Sequence, residues 1–177
     1  MNYQIEIINS SSKGHKNLYA NLARLTSPMS DVYPDYKEWL FKKFFPGLKD
    51  GSRKMVVAYN NDNPNNPVGV ALLKDTQEEK KICCLFVRED CRGQGIASKL
   101  MKKSFEALKT EKPLMTVSNN NLSQLQRLLD KNNFEFSYKR KGAYQENNTE
   151  NYFNNEATEI LKKEVLAPLF AYKSKER

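Results

Sequence analysis

The residues best suited to chemistry lie between Ile82 and Leu108. A short apolar run, Ile82-Cys83-Cys84-Leu85-Phe86-Val87, passes through Arg88-Glu89-Asp90-Cys91 into Arg92-Gly93-Gln94-Gly95-Ile96-Ala97, followed by helical spacing. Strand, glycine-bearing turn and helix in that order can hold an anion. Gly93 and Gly95 carry no Cβ, so they permit a sharp turn with open space beside it. The first amides of a helix have no partners inside it, and its dipole favours a nearby negative charge by about 0.3–1 kcal/mol. A pyrophosphate suits such a place. Two glycines can also do no more than close a tight turn, because a glycine pair alone is a weak signal. Two phosphate-binding patterns are excluded. A P-loop needs Gly-Lys-Ser/Thr, and Gly95 is followed by Ile96-Ala97; the three-glycine dinucleotide fingerprint would need glycine at Ser98.

Other chemistries find less support. His15 is the sole histidine and lies in a polar segment, which argues against a serine or cysteine nucleophile system and against zinc. Cys83 and Cys84 are neighbours in a strand, so their side chains face opposite ways and cannot easily pair. Cys91 reads as a loop thiol, reactive or inert. Three cysteines without a pairing pattern fit a reducing, cytoplasmic setting. No apolar run approaches the ~20 residues that cross a bilayer, and the first residues lack the form of a signal peptide. The net charge of +8 is spread over small clusters such as Arg53-Lys54, Lys80-Lys81 and Lys139-Arg140-Lys141. That pattern suits a solvated surface and a polyanionic ligand better than dedicated nucleic-acid binding.

The elements that position the turn can be read from periodicity. Tyr3 to Ile8 alternates as a strand. Leu18, Leu22 and Leu25 recur at helical spacing, and Tyr36, Trp39, Leu40, Phe41, Phe44 and Phe45 form a second apolar stripe, which Pro46-Gly47 should end. Met55–Tyr59 and Val68–Leu73 flank an Asn- and Pro-rich turn and predict a hairpin. After the strand at 82–87, a helix runs along Ile96, Leu100, Met101, Phe105 and Leu108. Leu114–Val117 is a fifth strand. Ser118 to Asn121 can cap a helix carrying Leu122, Leu125, Leu128 and Leu129, and Asn132-Asn133 can end it. Phe134–Tyr138 is a sixth strand, and a short last one falls near Tyr152-Phe153. Ile160 to Phe170 suggest a C-terminal amphipathic helix over about 156–172, interrupted at Pro168. With no repeat or linker, 1–177 reads as one domain with its core over about 3–153.

The turn reads Arg-x-x-Gly-x-Ala at Arg92, Gly95 and Ala97, and this resembles the acetyl-CoA signature of the GNAT superfamily of N-acetyltransferases. The order β-α-α-β-β-β-α-β-α-β resembles that family as well. The resemblance implies a mixed α/β fold: a central twisted, mostly antiparallel sheet with strands 4 and 5 parallel and splayed, flanked by helices. It implies acetyl-CoA as co-substrate, with Arg92, Gly93, Gln94, Gly95, Ile96, Ala97 and Ser98 at the pyrophosphate. The backbone of Leu85, Phe86 and Val87 would meet the pantetheine arm and the thioester carbonyl, and Asn121 the pantetheine. The acceptor would be a primary amine that attacks the thioester directly in a ternary complex; the alternative is a non-catalytic module of the same fold that binds acyl-CoA or a partner.

The proton-handling groups are less marked. Relatives often use a glutamate on the motif strand as base, which points to Glu79, beside Glu78; a solvated Glu78-Glu79-Lys80-Lys81 turn is the alternative. The late-helix tyrosine that often serves as acid falls on Leu129, which cannot protonate a thiolate. Tyr144 is then the candidate, with a structural tyrosine as the alternative. The aromatic stripe from Tyr36 can shape an acceptor pocket, and the C-terminal helix can cover the sheet or pair two chains as a homodimer.

Overall fold

The computed structural model describes residues 3–11, 17–61 and 63–155. His15 and the expected helix over 156–172 lie outside them. Seven strands form one sheet in the order β1-β2-β3-β4-β5-β7-β6. These are β1 Tyr3–Ile8, β2 Arg53–Asn60, β3 Asn63–Asp75, β4 Lys80–Val87, β5 Leu114–Ser118, β6 Phe136–Lys141 and β7 Thr149–Phe153. Every neighbouring pair is antiparallel except β4 and β5. The fold is thus the mixed α/β arrangement, mostly antiparallel with one parallel junction, that the resemblance implies.

That junction is short. β4 and β5 pair only at Lys81↔Leu114 and Ile82↔Met115. Beyond Ile82 the two strands separate, and the backbone groups of Cys83–Val87 that face β5 have no partner on that strand. A bulge lies at the same point. Leu72 is opposite Cys84 and Leu73 opposite Ile82, so Cys83 is the extra residue of β4. Bulges bend a strand and re-aim its side chains, and this one lies where the sheet opens.

Helices cover both faces. On one, α5 (Ile96–Leu108) and α6 (Asn119–Lys131) pack Ile96, Leu100, Met101, Leu108 and Leu129 against Val56, Leu73, Ile82 and Met115. On the other, α1 (Leu18–Leu25), α3 (Tyr36–Trp39), the turn Leu40–Phe44 and α4 (Phe45–Asp50) bury Leu22, Tyr36, Leu40, Phe44 and Phe45 against Met55, Val57, Val70 and Leu72, and Met29 of α2 (Met29–Val32) packs at the margin. Gly69 of β3 admits α5 closely. A Cβ there would lie 3.1 Å from Leu100 Cδ1 and 3.2 Å from Ile96 Cγ2.

Several boundaries differ from the sequence reading. Pro46-Gly47 does not end the aromatic helix. Leu40–Phe44 forms a π-helical turn, Pro46 falls in the first turn of α4, and that helix ends at Gly51 with φ of 81°. A wide π turn suits Pro46, whose ring would crowd the carbonyl four residues back in a regular helix. β6 begins at Phe136 rather than Phe134, because Phe134 is buried against Phe105 on the helical side. Asn133 does take the left-handed conformation, φ 54°, that ends α6.

Candidate active site

The Arg92–Ser98 turn stands at the end of β4. Gly93 and Gly95 adopt φ of 75° and 76°, and a Cβ at either would meet nothing within 4 Å. Both glycines are therefore required by backbone conformation, and the space beside them is open. Gly95 is the N-cap of α5, the first turn contains no acidic residue, and no side chain caps it. The first helical hydrogen bond runs from the Lys99 amide to the Gly95 carbonyl, 3.2 Å. The amides of Ile96, Ala97 and Ser98 precede it and are left for an external acceptor.

A cavity of about 600 Å³ joins this turn to the opening between the strands. Its walls are Cys83–Val87 of β4, Met115–Ser118 of β5, the turn, and Asn121, Arg127 and Lys131 of α6. Two cations with open peptide amides suit a polyphosphate ligand. Among the expected residues, Leu85, Phe86, Val87, Arg92, Gly93, Gly95, Ile96, Ala97, Ser98 and Asn121 all border this cavity. Gln94 does not: its Oε1 accepts from the Tyr3 hydroxyl at 2.7 Å. Arg92 borders the cavity while its Nε donates to the Val87 carbonyl at 3.1 Å, fastening the turn to the strand end.

A second cavity of about 420 Å³ lies toward α2 and α3, lined by Tyr36, Trp39 and Tyr144 with Asp35, Lys43 and Lys81. Met29, Tyr33, Cys83 and Thr116 border both cavities. Those four residues mark where contents of the two spaces can meet. Tyr144 is 47% exposed and accepts a hydrogen bond from Lys81 Nζ at 3.1 Å. Its ring packs edge-on against Tyr33, centroids 5.7 Å apart. Glu79 borders neither cavity; it pairs with Lys74 at 2.8 Å before the start of β4.

Electrostatics at the meeting point centre on two groups that the sequence did not single out. Glu150 of β7 stands opposite Ser118 of β5 and is only 2% exposed. Burial pushes its carboxyl up to about 7, against smaller opposing effects of the Tyr33 hydroxyl and the Lys81 charge. Burial, and next the Glu150 charge, also raises Tyr33 well above an ordinary phenol. Burial raises the Cys83 thiol in spite of Lys81. Lys81 is itself held above the ordinary lysine value: burial opposes this, but the neighbouring Tyr144 and Cys83 outweigh it. No helix among the described residues is long and apolar enough to cross a membrane, and no cluster of metal-ligating side chains occurs among them.

The sequence from 18 to 134 matches the acetyltransferase (GNAT) family. A comparison with curated proteins returns no significant match. Solved structures of similar fold include the NatC complex bound to Gag peptide and CoA, at 17% identity and a TM-score of 0.65 over 86% of this chain and 97% of that one. Ard1 from Thermoplasma volcanium is similar at 16% identity and 0.64, over 85% and 95%. A GNAT-family protein described as a putative acetyltransferase from Desulfovibrio desulfuricans gives 11% and 0.64, over 85% and 97%. With the motif turn, the parted strands and two thirds of its length inside the family match, the chain belongs to the acetyltransferase (GNAT) family, N-acetyltransferases that draw their acetyl group from acetyl-CoA.

Proposed function

We infer that this chain acetylates a primary amine by direct attack of the amine on acetyl-CoA, both bound at once. The observation that carries the reading is that the two cavities adjoin, sharing Met29, Tyr33, Cys83 and Thr116 in their walls. A thioester lying between β4 and β5 and an amine entering past Tyr36 and Trp39 would meet there. Holding the two together removes most of the entropic barrier to a bimolecular reaction.

The residues divide the work as follows. The amides of the Arg92–Ser98 turn take the pyrophosphate, with Arg127 and Lys131 at the cavity wall. The backbone groups on the β5-facing edge of Leu85, Phe86 and Val87, which have no partner on β5, hold the pantetheine and polarise the carbonyl, as preorganised donors do for a developing oxyanion, and Asn121 lies beside the arm. Tyr144 is the candidate proton donor to the leaving thiolate, with Lys81 hydrogen-bonded to it. Glu79 is ion-paired with Lys74 and borders neither cavity, and it is not retained as the base. Cys83 borders the meeting point, but a thiol raised by burial is a poor nucleophile, which supports direct transfer over an acetyl-cysteine. The aromatic walls of Tyr36, Trp39 and Tyr144 favour an acceptor with an apolar body. The three described cysteines are unpaired, which fits a cytoplasmic enzyme.

The test is a thiol-release assay with acetyl-CoA and a panel of spermidine, lysine, tyramine and short peptides with free N-termini. Turnover with any of them above thioester hydrolysis supports the reading. Tight acetyl-CoA binding with no turnover across a broad panel would instead make the chain a non-catalytic acyl-CoA-binding module.

A further inference from the structure

The ammonium form of an amine cannot attack a thioester, so a group at the meeting point must take its proton. The described residues bordering both cavities offer one ionisable oxygen, the Tyr33 hydroxyl. A tyrosine held above its ordinary value is a poor base by itself, because its phenol keeps its proton at neutral pH. It becomes competent if it hands that proton on as it receives another.

Behind Tyr33 lies an anomaly. Both oxygens of Glu150 are buried, and apart from the facing Tyr33 hydroxyl no described donor satisfies them; the buried Ser118 Oγ beside it is unpartnered. Buried carboxyl groups are normally satisfied by several donors, and one that is not calls for an explanation. The groups packed around it are few. Tyr33 faces it from the segment after α2, Lys81 of β4 acts at longer range, Ser118 is its partner on β5, and Arg140 of β6 is paired in register but exposed. The α6 side is occupied by a neutral pair, Asn151 Nδ2 donating to Asn119 Oδ1 at 2.7 Å. No cation within 4 Å fixes Glu150 as a permanent carboxylate among the described residues.

We propose that Tyr33 and Glu150 form a proton relay: Tyr33 Oη accepts a proton from the acceptor ammonium while passing its own to the Glu150 carboxylate. Tyr33 is the catalytic residue, and Glu150 acts through it as a positioning residue that stores the proton. The step rests on the transfer reading above, and its balance is closed. The ammonium becomes a neutral amine and Glu150 a neutral acid. The amine lone pair then forms the C–N bond as the C–S bond breaks, and the thiolate leaves with the bonding pair. Tyr144 gives its proton to the thiolate and is restored by the second proton of the new amide nitrogen. Glu150 returns its proton through Tyr33 to solvent, so one proton is released per turnover.

Two measurements test the relay. The first is carboxyl ¹³C NMR titration of the protein alone. One glutamate signal is expected to titrate near pH 7, to vanish in Glu150→Gln and to shift in Tyr33→Phe; a Glu150 midpoint near the ordinary glutamate value would overturn the relay. The second is the pH profile of kcat with the best acceptor of the panel. The wild type should show an acidic limb near pH 7. Glu150→Gln and Tyr33→Phe should each lose that limb and 10- to 100-fold in kcat, with the KM for acetyl-CoA unchanged. Glu150→Asp should recover part of the rate. Tyr33→Phe removes a single oxygen and guards against a folding defect in the Glu150 variants. An active wild type whose variants keep both rate and limb overturns the relay alone; an inactive wild type overturns the transfer reading with it.

Discussion

Replacing Gly95 by glutamate places a negative charge where the pyrophosphate of acetyl-CoA should lie. The backbone there has φ of 76°, and a Cβ would meet no atom within 4 Å, so the substitution brings strain but no clash. Left-handed backbone costs a non-glycine residue about 1–2 kcal/mol, and this falls on the turn whatever the side chain. The charge is a separate effect. A carboxylate about 5 Å from one phosphate charge is repelled by about 3 kcal/mol at an effective dielectric constant near 20. That is roughly a hundredfold rise in Kd. It also competes for the open amides of Ile96, Ala97 and Ser98. Isothermal titration with acetyl-CoA on wild type, Gly95→Gln and Gly95→Glu separates the two effects, because glutamine carries the bulk and strain without the charge. The glutamate variant should bind roughly a hundredfold more weakly than the glutamine variant at low salt. The gap should narrow as salt screens the charges. Equal affinities for the two variants, both folded, would refute the placement of the anion at this turn.

Three further outcomes follow from the packing and the electrostatics. Gly69→Leu should force apart β3 and the first turn of α5, where Leu100 and Ile96 already lie 3.1 and 3.2 Å from the added Cβ; overpacking of about 1–3 kcal/mol should lower the melting temperature by several degrees and weaken acetyl-CoA binding with it. Glu150→Gln should stabilise the protein at pH 8: the folded carboxyl titrates at about 7 against an ordinary 4.5, so the native state loses stability as pH rises from about 4.5 to about 7, by up to about 3 kcal/mol. Thermal melts of the two proteins should therefore converge near pH 4 and separate above pH 7, and a variant less stable than wild type at pH 8 would contradict the assignment. Tyr144→Phe should lower kcat about tenfold while leaving acetyl-CoA affinity unchanged in titration, since Tyr144 borders only the acceptor cavity; an unchanged kcat would reduce Tyr144 to a wall residue.

What could be read from the sequence was what is local. Gly93, Gly95 and Ala97 lie within five residues of one another, and their strand and helix follow directly in the chain. The anion turn was therefore visible in a single window. The bulge at Cys83 was not, because it depends on which residues of distant strands fall opposite one another; the splaying of β4 from β5 was expected from the family resemblance and from no local spacing. The π turn before Pro46 escaped for a related reason: local signals marked a stop at Pro46-Gly47, whereas burial of Phe44, Phe45 and Leu48 carries the helix on to Gly51. Tyr33 and Glu150 are 117 positions apart, and no spacing rule joins them. Glu150 stood in an Asn- and Glu-rich stretch that reads as polar turn. Its only signal was its place just before Tyr152-Phe153, where a carboxylate enters a strand that has to be buried. Glu79 looked suitable for the converse reason. It lies near β4 in sequence, but its Lys74 partner and its position before the strand hold it away from both cavities.

The central claim is that acetyl-CoA lies along the opening between β4 and β5, with its pyrophosphate on the turn and its thioester at the junction of the two cavities. A crystal structure with acetyl-CoA bound tests this most directly. The claim predicts pyrophosphate oxygens within hydrogen-bond distance of the amides of residues 95–98, and the acetyl group bordered by Tyr33, Cys83 and Thr116. A cofactor bound elsewhere, or a pyrophosphate held by side chains away from Gly95, would contradict it.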